Sequence, residues 1–105
     1  MKITFLTKNI KLTTPLKKFV EQKIGGLEHI CRDIMETWVE LDEDTSQQSG
    51  EKKYRVEVQI KLKGGSLRAE ETSGDILISI NEIIPKLKKQ IEKFKTRFRN
   101  VRKNA

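Results

Sequence analysis

The 105-residue chain holds one cysteine, one histidine and two prolines. A lone Cys31 rules out an internal disulfide framework and fits a reducing compartment. Metal ligation through cysteine and histidine would need more than Cys31 and His29. No apolar run approaches the ~18–20 residues of a membrane helix, so no membrane partner is expected. The opening MKITFLTKNIKL is too polar for the core of a secretion signal, and the expected location is the cytoplasm. No internal repeat or proline-rich linker divides the chain, and one domain over residues 1–105 is expected. A domain of that size buries roughly 60–70% of the surface its unfolded chain exposes, enough for one sheet-and-helix core.

Positive charge is what the chain has in excess. Its 22 Lys and Arg oppose 15 Asp and Glu, a net charge of +7, which points to a polyanion without naming one. The distribution is uneven. Residues 1–35 carry seven bases and three acids, and residues 36–50 carry five acids and no base. Residues 51–74 carry six bases and four acids, and residues 75–105 nine and three. From Lys86 to Lys103, nine bases meet one acid, Glu92.

Hydropathy periods predict the elements. Residues 2–7 alternate as a short strand with Ile3 and Phe5 on one face, and Asn9 signals a turn. Thr14-Pro15 is a helix start, with Thr as N-cap and Pro at the first helical position. Leu16, Phe19, Val20, Leu27, Ile30 and Ile34 then recur at helical spacing. They predict an amphipathic helix of about five turns, weakened at Gly25-Gly26 by roughly 1 kcal/mol per glycine. Residues 35–42 alternate as a strand, with Trp38 on the face opposite Val39 and Leu41, and the polar run DTSQQSGE reads as a loop. Residues 54–62 show the cleanest alternation, Tyr54, Val56, Val58, Ile60 and Leu62 against polar neighbours. Gly64-Gly65 marks a hairpin turn, and a shorter strand follows through Leu67, Ala69 and Glu71.

Ser73-Gly74-Asp75 opens the last helix. Ile76, Leu77, Ile80, Ile83, Ile84, Leu87, Ile91, Phe94, Phe98 and Val101 step by threes and fours behind it. Pro85 lies inside that pattern and predicts a kink near residues 81–85. The order is β-α-β-β-β-α. A right-handed crossover and two hairpins give a four-stranded mixed sheet with both helices on one face, a two-layer α/β (α+β) sandwich. The other sheet face is expected to be polar and open.

No catalytic constellation stands out. His29 and Cys31 at i, i+2 point to different helix faces, whereas a nucleophile and its base must meet. The acids Glu40, Asp42, Glu43 and Asp44 lack the spacing and turn glycine of a calcium loop. Gly64-Gly65 is too short to cradle a phosphate. A binding protein without cofactor or metal is expected, not an enzyme. Its surface is the cationic helix. Lys86, Lys89, Lys93 and Arg97 step along one flank of the apolar seam, and Lys88, Lys95, Arg99 and Arg102 along the other. Lys17, Lys18 and Lys23 add charge on the first helix. Lysines in a row gain entropy by releasing the counterions condensed on a nucleic acid. A solvated helix usually mixes signs for i, i+4 pairing, and this one does not. The acidic run Glu36, Glu40 and Asp42 gives the molecule an anionic side, which would orient it on a nucleic acid or simply keep it soluble.

Together these features resemble the ribosome hibernation promoting factor / ribosome-associated translation inhibitor family. The run KITFLTKNIKLTTPLKKFVEQKIGGLE resembles that family's first strand and helix. The run GDILISINEIIPKLKKQIEKFKTRF resembles its second helix, matching at Asp75, Ile80, Lys86, Leu87, Gln90, Lys93 and Lys95. Leu77 and Asn81 depart from the usual Tyr and Asp, Pro85 enters a helix that is normally unbroken, and Gly25-Gly26 replaces helix formers. The resemblance implies binding to the small ribosomal subunit in the channel of messenger RNA and the tRNA anticodon ends. That would block translation in stationary phase or stress. It implies rRNA contacts at Lys17, Lys23, Lys86, Lys89, Lys93 and Lys95, and charge alone adds Arg97 and Arg99. It is to the short form, which works beside a separate ribosome-dimerising factor and is expected to be monomeric off the ribosome. The alternative is a protein-interaction module that modulates an alternative sigma factor, with exposed Trp38 as its contact. A general double-stranded-RNA binder is a third reading.

Overall fold

Four alternating segments form one sheet because each has a single apolar face to bury. The computed structural model describes residues 2–44 and 52–103, and for 98–103 the backbone alone. The elements are β1 (Lys2–Lys8), α1 (Thr14–Gly25), a 3₁₀ turn (Gly26–His29), β2 (Ile34–Asp44), β3 (Lys53–Leu62), β4 (Gly65–Ser73) and α2 (Ile76–Lys103). The sheet order is β1-β2-β3-β4. β1 pairs parallel to β2, and the other two pairings are antiparallel. This is the mixed sheet that the element order predicts. The polar segment 45–51 lies outside the described residues.

The core lies between the sheet and the two helices. Val39 stands opposite Val58, which stands opposite Ala69, and Leu41 stands opposite Val56. All five are buried, and α1 covers them with Leu16, Val20 and Ile24 and α2 with Ile80, Ile83, Leu87 and Ile91. At roughly 1.5–3 kcal/mol for each large side chain, these residues carry most of the folding energy.

Local signals hold with shifts of a residue or two. Asn9 takes a φ of 58°, a left-handed turn that asparagine tolerates. The N-cap is Thr13, not Thr14; its Oγ1 accepts from the Leu16 N–H at 3.3 Å, and Pro15 falls one position further inside the helix. Asp75 caps α2, accepting the Leu77 N–H at 2.8 Å.

Two expectations change. The first helix does not run five turns: α1 ends at Gly25 and tightens into the 3₁₀ turn, and Ile34 belongs to β2. Two adjacent glycines remove the propensity that would carry the helix further. α2 is continuous across Pro85, where the kink is expected, and the proline leaves the Asn81 carbonyl without its usual N–H donor. Leu77 is not part of the buried seam but 44% exposed beside Ile78 at 48%.

Both helices run the same way. α1 returns the chain from the end of β1 to the start of the parallel β2. α2 runs back along β4, since Phe94 lies against Gly65 at the start of that strand. α2 spans about 42 Å at 1.5 Å per residue, so its last turns project past the Gly64-Gly65 turn. The helix C-terminal halves therefore meet at one end of the sheet, with Lys23, Lys63, Lys93 and Arg97. Asp42, Glu43, Asp44 and Asp75 lie at the other, together with Lys8, Lys52 and Lys53.

Candidate nucleic-acid interface

The apolar seam of α2 separates two cationic flanks, and the fold uses them differently. On the flank over β4, Lys86 Nζ donates to the Glu70 carbonyl at 3.2 Å and pairs with the Glu71 carboxylate. Glu71 occupies a core-side position of β4, and this pairing offsets the cost of burying its charge. One turn on, Gln90 grips the strand edge: its Nε2 donates to the Arg68 carbonyl at 2.8 Å, and its Oε1 accepts the Arg68 N–H at 3.2 Å. A side-chain amide thus occupies the place of a neighbouring strand and closes an edge that would otherwise invite pairing. On the other flank, Lys95 Nζ donates to the Ile30 carbonyl at 2.9 Å and ties α2 to the segment before β2.

Lys89, Lys93 and Arg97 are exposed and have no ion pair among the described residues. On α1, Lys17 and Lys18 are exposed, and Lys23 lies 5.6 Å from the centroid of the Phe19 ring. That contact is worth about 0.5–1 kcal/mol at an exposed site. Of the eight residues expected to meet RNA, Lys17, Lys23, Lys89, Lys93 and Arg97 present their charge to solvent. Lys86 and Lys95 are occupied within the fold. Arg99 lies on α2, and its side chain is outside the described residues.

The open sheet face differs from the anionic side that Glu36, Glu40 and Asp42 suggest. Register places Lys2, Lys8, Arg55, Lys61 and Arg68 on it beside Glu36, Glu40, Asp42, Glu57 and Glu70. Positive and negative charges balance there. Arg55 joins Glu57 at 2.9 Å and Glu40 at 3.1 Å, Lys8 joins Glu40 at 3.2 Å, and Arg68 joins Glu57 at 3.0 Å. Between these pairs Trp38 is 37% and Leu6 56% exposed. They line a shallow depression of about 290 Å³ with Thr4 and Gln59. Among the described residues no group of three or more His, Cys, Asp or Glu could hold a metal ion. No described helix is long and apolar enough to cross a membrane.

Sequence periodicity does not show that Phe94 meets the Gly64-Gly65 turn, because the turn and the helix are joined only by tertiary packing. The nearest signal is the pair of glycines where one would suffice for a turn.

Curated relatives include the ribosome hibernation promotion factor of Deinococcus radiodurans, 33% identical over 98 residues. That alignment covers 93% of this chain and 51% of the relative. The protein of the same name from Lactococcus lactis subsp. cremoris is 36% identical over 107 residues, covering 100% of this chain and 55% of the relative. The chain spans about half the length of the curated relatives it matches. Among solved structures, a ribosomal subunit interface protein from Coxiella burnetii superposes with a TM-score of 0.78 at 21% identity. It covers 91% of this chain and 99% of that one, and shows the shared fold. The N-terminal domain of Thermus thermophilus Protein Y has a TM-score of 0.74 at 27% identity, covering 90% and 99%. Residues 3–99 match the family model described as Sigma 54 modulation protein / S30EA ribosomal protein, and the chain belongs to that family.

Proposed function

We propose that the protein is a ribosome-binding hibernation factor that lays its two parallel helices on ribosomal RNA of the small subunit. It occupies the channel of messenger RNA and the tRNA anticodon ends, and so stops translation in stationary phase or stress. The observation that carries this reading is the set of uncommitted cations Lys89, Lys93 and Arg97 on α2, with Lys17 and Lys23 on α1. Lys86 and Lys95 are engaged within the fold, whereas Lys17, Lys89, Lys93 and Arg97 make no ion pair among the described residues and Lys23 lies only against the Phe19 ring. The names of the relatives supply the ribosome as the polyanion.

Co-sedimentation tests it. Protein added to ribosomes at low salt travels with small subunits or whole ribosomes and is released as salt rises, because phosphate contacts exchange with counterions. The triple reversal Lys89→Glu, Lys93→Glu and Arg97→Glu abolishes both co-sedimentation and inhibition of cell-free translation. Wild-type protein left at the top of the low-salt gradient would exclude this function.

The second reading, a module that acts on a sigma factor, draws on the exposed Trp38 and Leu6. It predicts that Trp38→Ala removes activity while the triple reversal retains it.

A further inference from the structure

The turn between β3 and β4 lets α2 come close to it. Gly64 holds a φ of 96°, a conformation that glycine enters freely and other residues rarely adopt. A Cβ on Gly65 would stand 3.0 Å from Cε2 of the Phe94 ring, so a side chain there crowds the ring. The two glycines and α2 bound a cleft of about 390 Å³. Leu67 and Phe94, both half-buried, give it an apolar lining, and the exposed Lys93 and Arg97 line it one helical turn apart. Gln90, also lining it, is held by its two hydrogen bonds to Arg68, which keeps that wall rigid.

The size and chemistry restrict the occupant. The volume is at the small end of ligand sites, roughly 300–1,000 Å³, and an α-helix some 10–12 Å across does not fit. An aromatic and aliphatic lining beside two cations suits a ligand with a flat apolar part and a negative charge next to it. Unpaired nucleotides have that form: their bases lie on aromatic rings or guanidinium planes, and their phosphates pair with Lys and Arg. A paired nucleotide has its base enclosed in a stack and cannot enter.

We infer that the cleft between the Gly64-Gly65 turn and α2 seats one unpaired nucleotide of the bound RNA. Its phosphate lies on Lys93 and Arg97, and its base lies against Phe94 and Leu67. This rests on the RNA-binding reading and makes it more specific: the α2 surface selects single-stranded RNA over duplex.

The test compares the full chain's affinity for a labelled oligouridylate and for an RNA duplex of equal length, by fluorescence anisotropy at low salt. Gly65→Val fills the cleft and Phe94→Leu removes its ring, neither altering a charge. Each is expected to weaken single-strand binding about tenfold, the weight of one base–aromatic stack, with duplex binding unchanged. A thermal melt reports whether each variant is folded. An NMR titration of the wild type decides the matter should either fail to fold. In it the amides of Gly64, Gly65 and Phe94 shift with oligouridylate and stay still with duplex. Folded variants that bind the single strand as tightly as wild type overturn the cleft, as do equal losses on both probes or still amides in the titration. In each of those cases the broader RNA reading stands. Wild type that binds neither probe overturns both.

Discussion

Arg55, at the centre of the sheet's open face, shows how one residue can decide whether a surface is tolerable. Register sets Glu40, Glu57 and Glu70 side by side on three adjacent strands, where like charges directly opposite destabilise a sheet. Arg55 reaches all three, at 3.1, 2.9 and 3.8 Å. Burial opposes its charge, but the hydrogen bond with Glu57 and the fields of Glu40, Glu70 and Glu57 outweigh that and raise its pKa. Glu40 is shifted the other way. The hydrogen bond from Lys8 comes first, and with the fields of Lys8 and Arg55 it overcomes burial and holds the carboxyl below its ordinary value of 4.5. A carboxyl with a depressed folded-state pKa stabilises the fold above its unfolded value, and that stability is lost as pH falls through the folded value. Glu40→Gln is therefore expected to be less stable than wild type at neutral pH, by up to about 1 kcal/mol for so solvent-screened a network. The gap closes in urea unfolding as pH falls below 4.5. A gap that persists unchanged down to about pH 3 would show that Glu40 acts by packing and not by charge.

At the scale of elements, strands and helices are legible because hydrophobic period depends on few neighbours. Val56, Val58, Ile60 and Leu62 specify β3 alone, and Ile80, Ile83, Leu87 and Ile91 specify the inward face of α2. Helix ends are less legible, since they rest on small differences. Gly25-Gly26 announces a weakness but does not say whether the chain bends or stops. The site is half legible for a related reason. Periodicity finds the cationic flanks, but it cannot tell the Lys86 that pairs with Glu71 from the Lys93 that faces solvent, because their partners lie far off in sequence. Both breakers in the helices offer a test. Pro85 is exposed and α2 continues through it, so Pro85→Ala restores a backbone bond and is expected to stabilise the protein by about 1–3 kcal/mol. A Cβ on Gly25 meets nothing within 4 Å and its φ of −58° suits a helix. Gly25→Ala is expected to add about 0.5–1 kcal/mol through the unfolded chain. Thermal melts measure both, and a lowered Tm would mean that the residue holds a backbone shape on which packing depends.

For the whole molecule, the net charge of +7 says less than its direction. Because β4 runs with β1 and both helices return the other way, their C-terminal halves bring Lys23, Lys93 and Arg97 to one end of the long axis. Bases there also complement the negative ends of the two helix dipoles. The opposite end mixes signs, with Asp42, Glu43 and Asp44 beside Lys8, Lys52 and Lys53. On the proposed function, this basic end is the part that meets RNA phosphates first, and long-range steering favours that approach at low salt. The salt dependence of binding then separates cations that meet phosphates from cations that hold the fold. Each phosphate contact contributes roughly 0.7–0.9 to the slope of log affinity against log salt. Lys93→Gln and Arg97→Gln should each lower the slope for ribosome binding by about that amount and leave the melting temperature unchanged. Lys86→Gln should do the reverse: the slope stays, and the melt falls because Glu71 is left without its partner at the sheet edge. If Lys86→Gln flattens the slope as much as Lys93→Gln, the Lys86–Glu71 pair opens on binding, and the two flanks of α2 act as one surface.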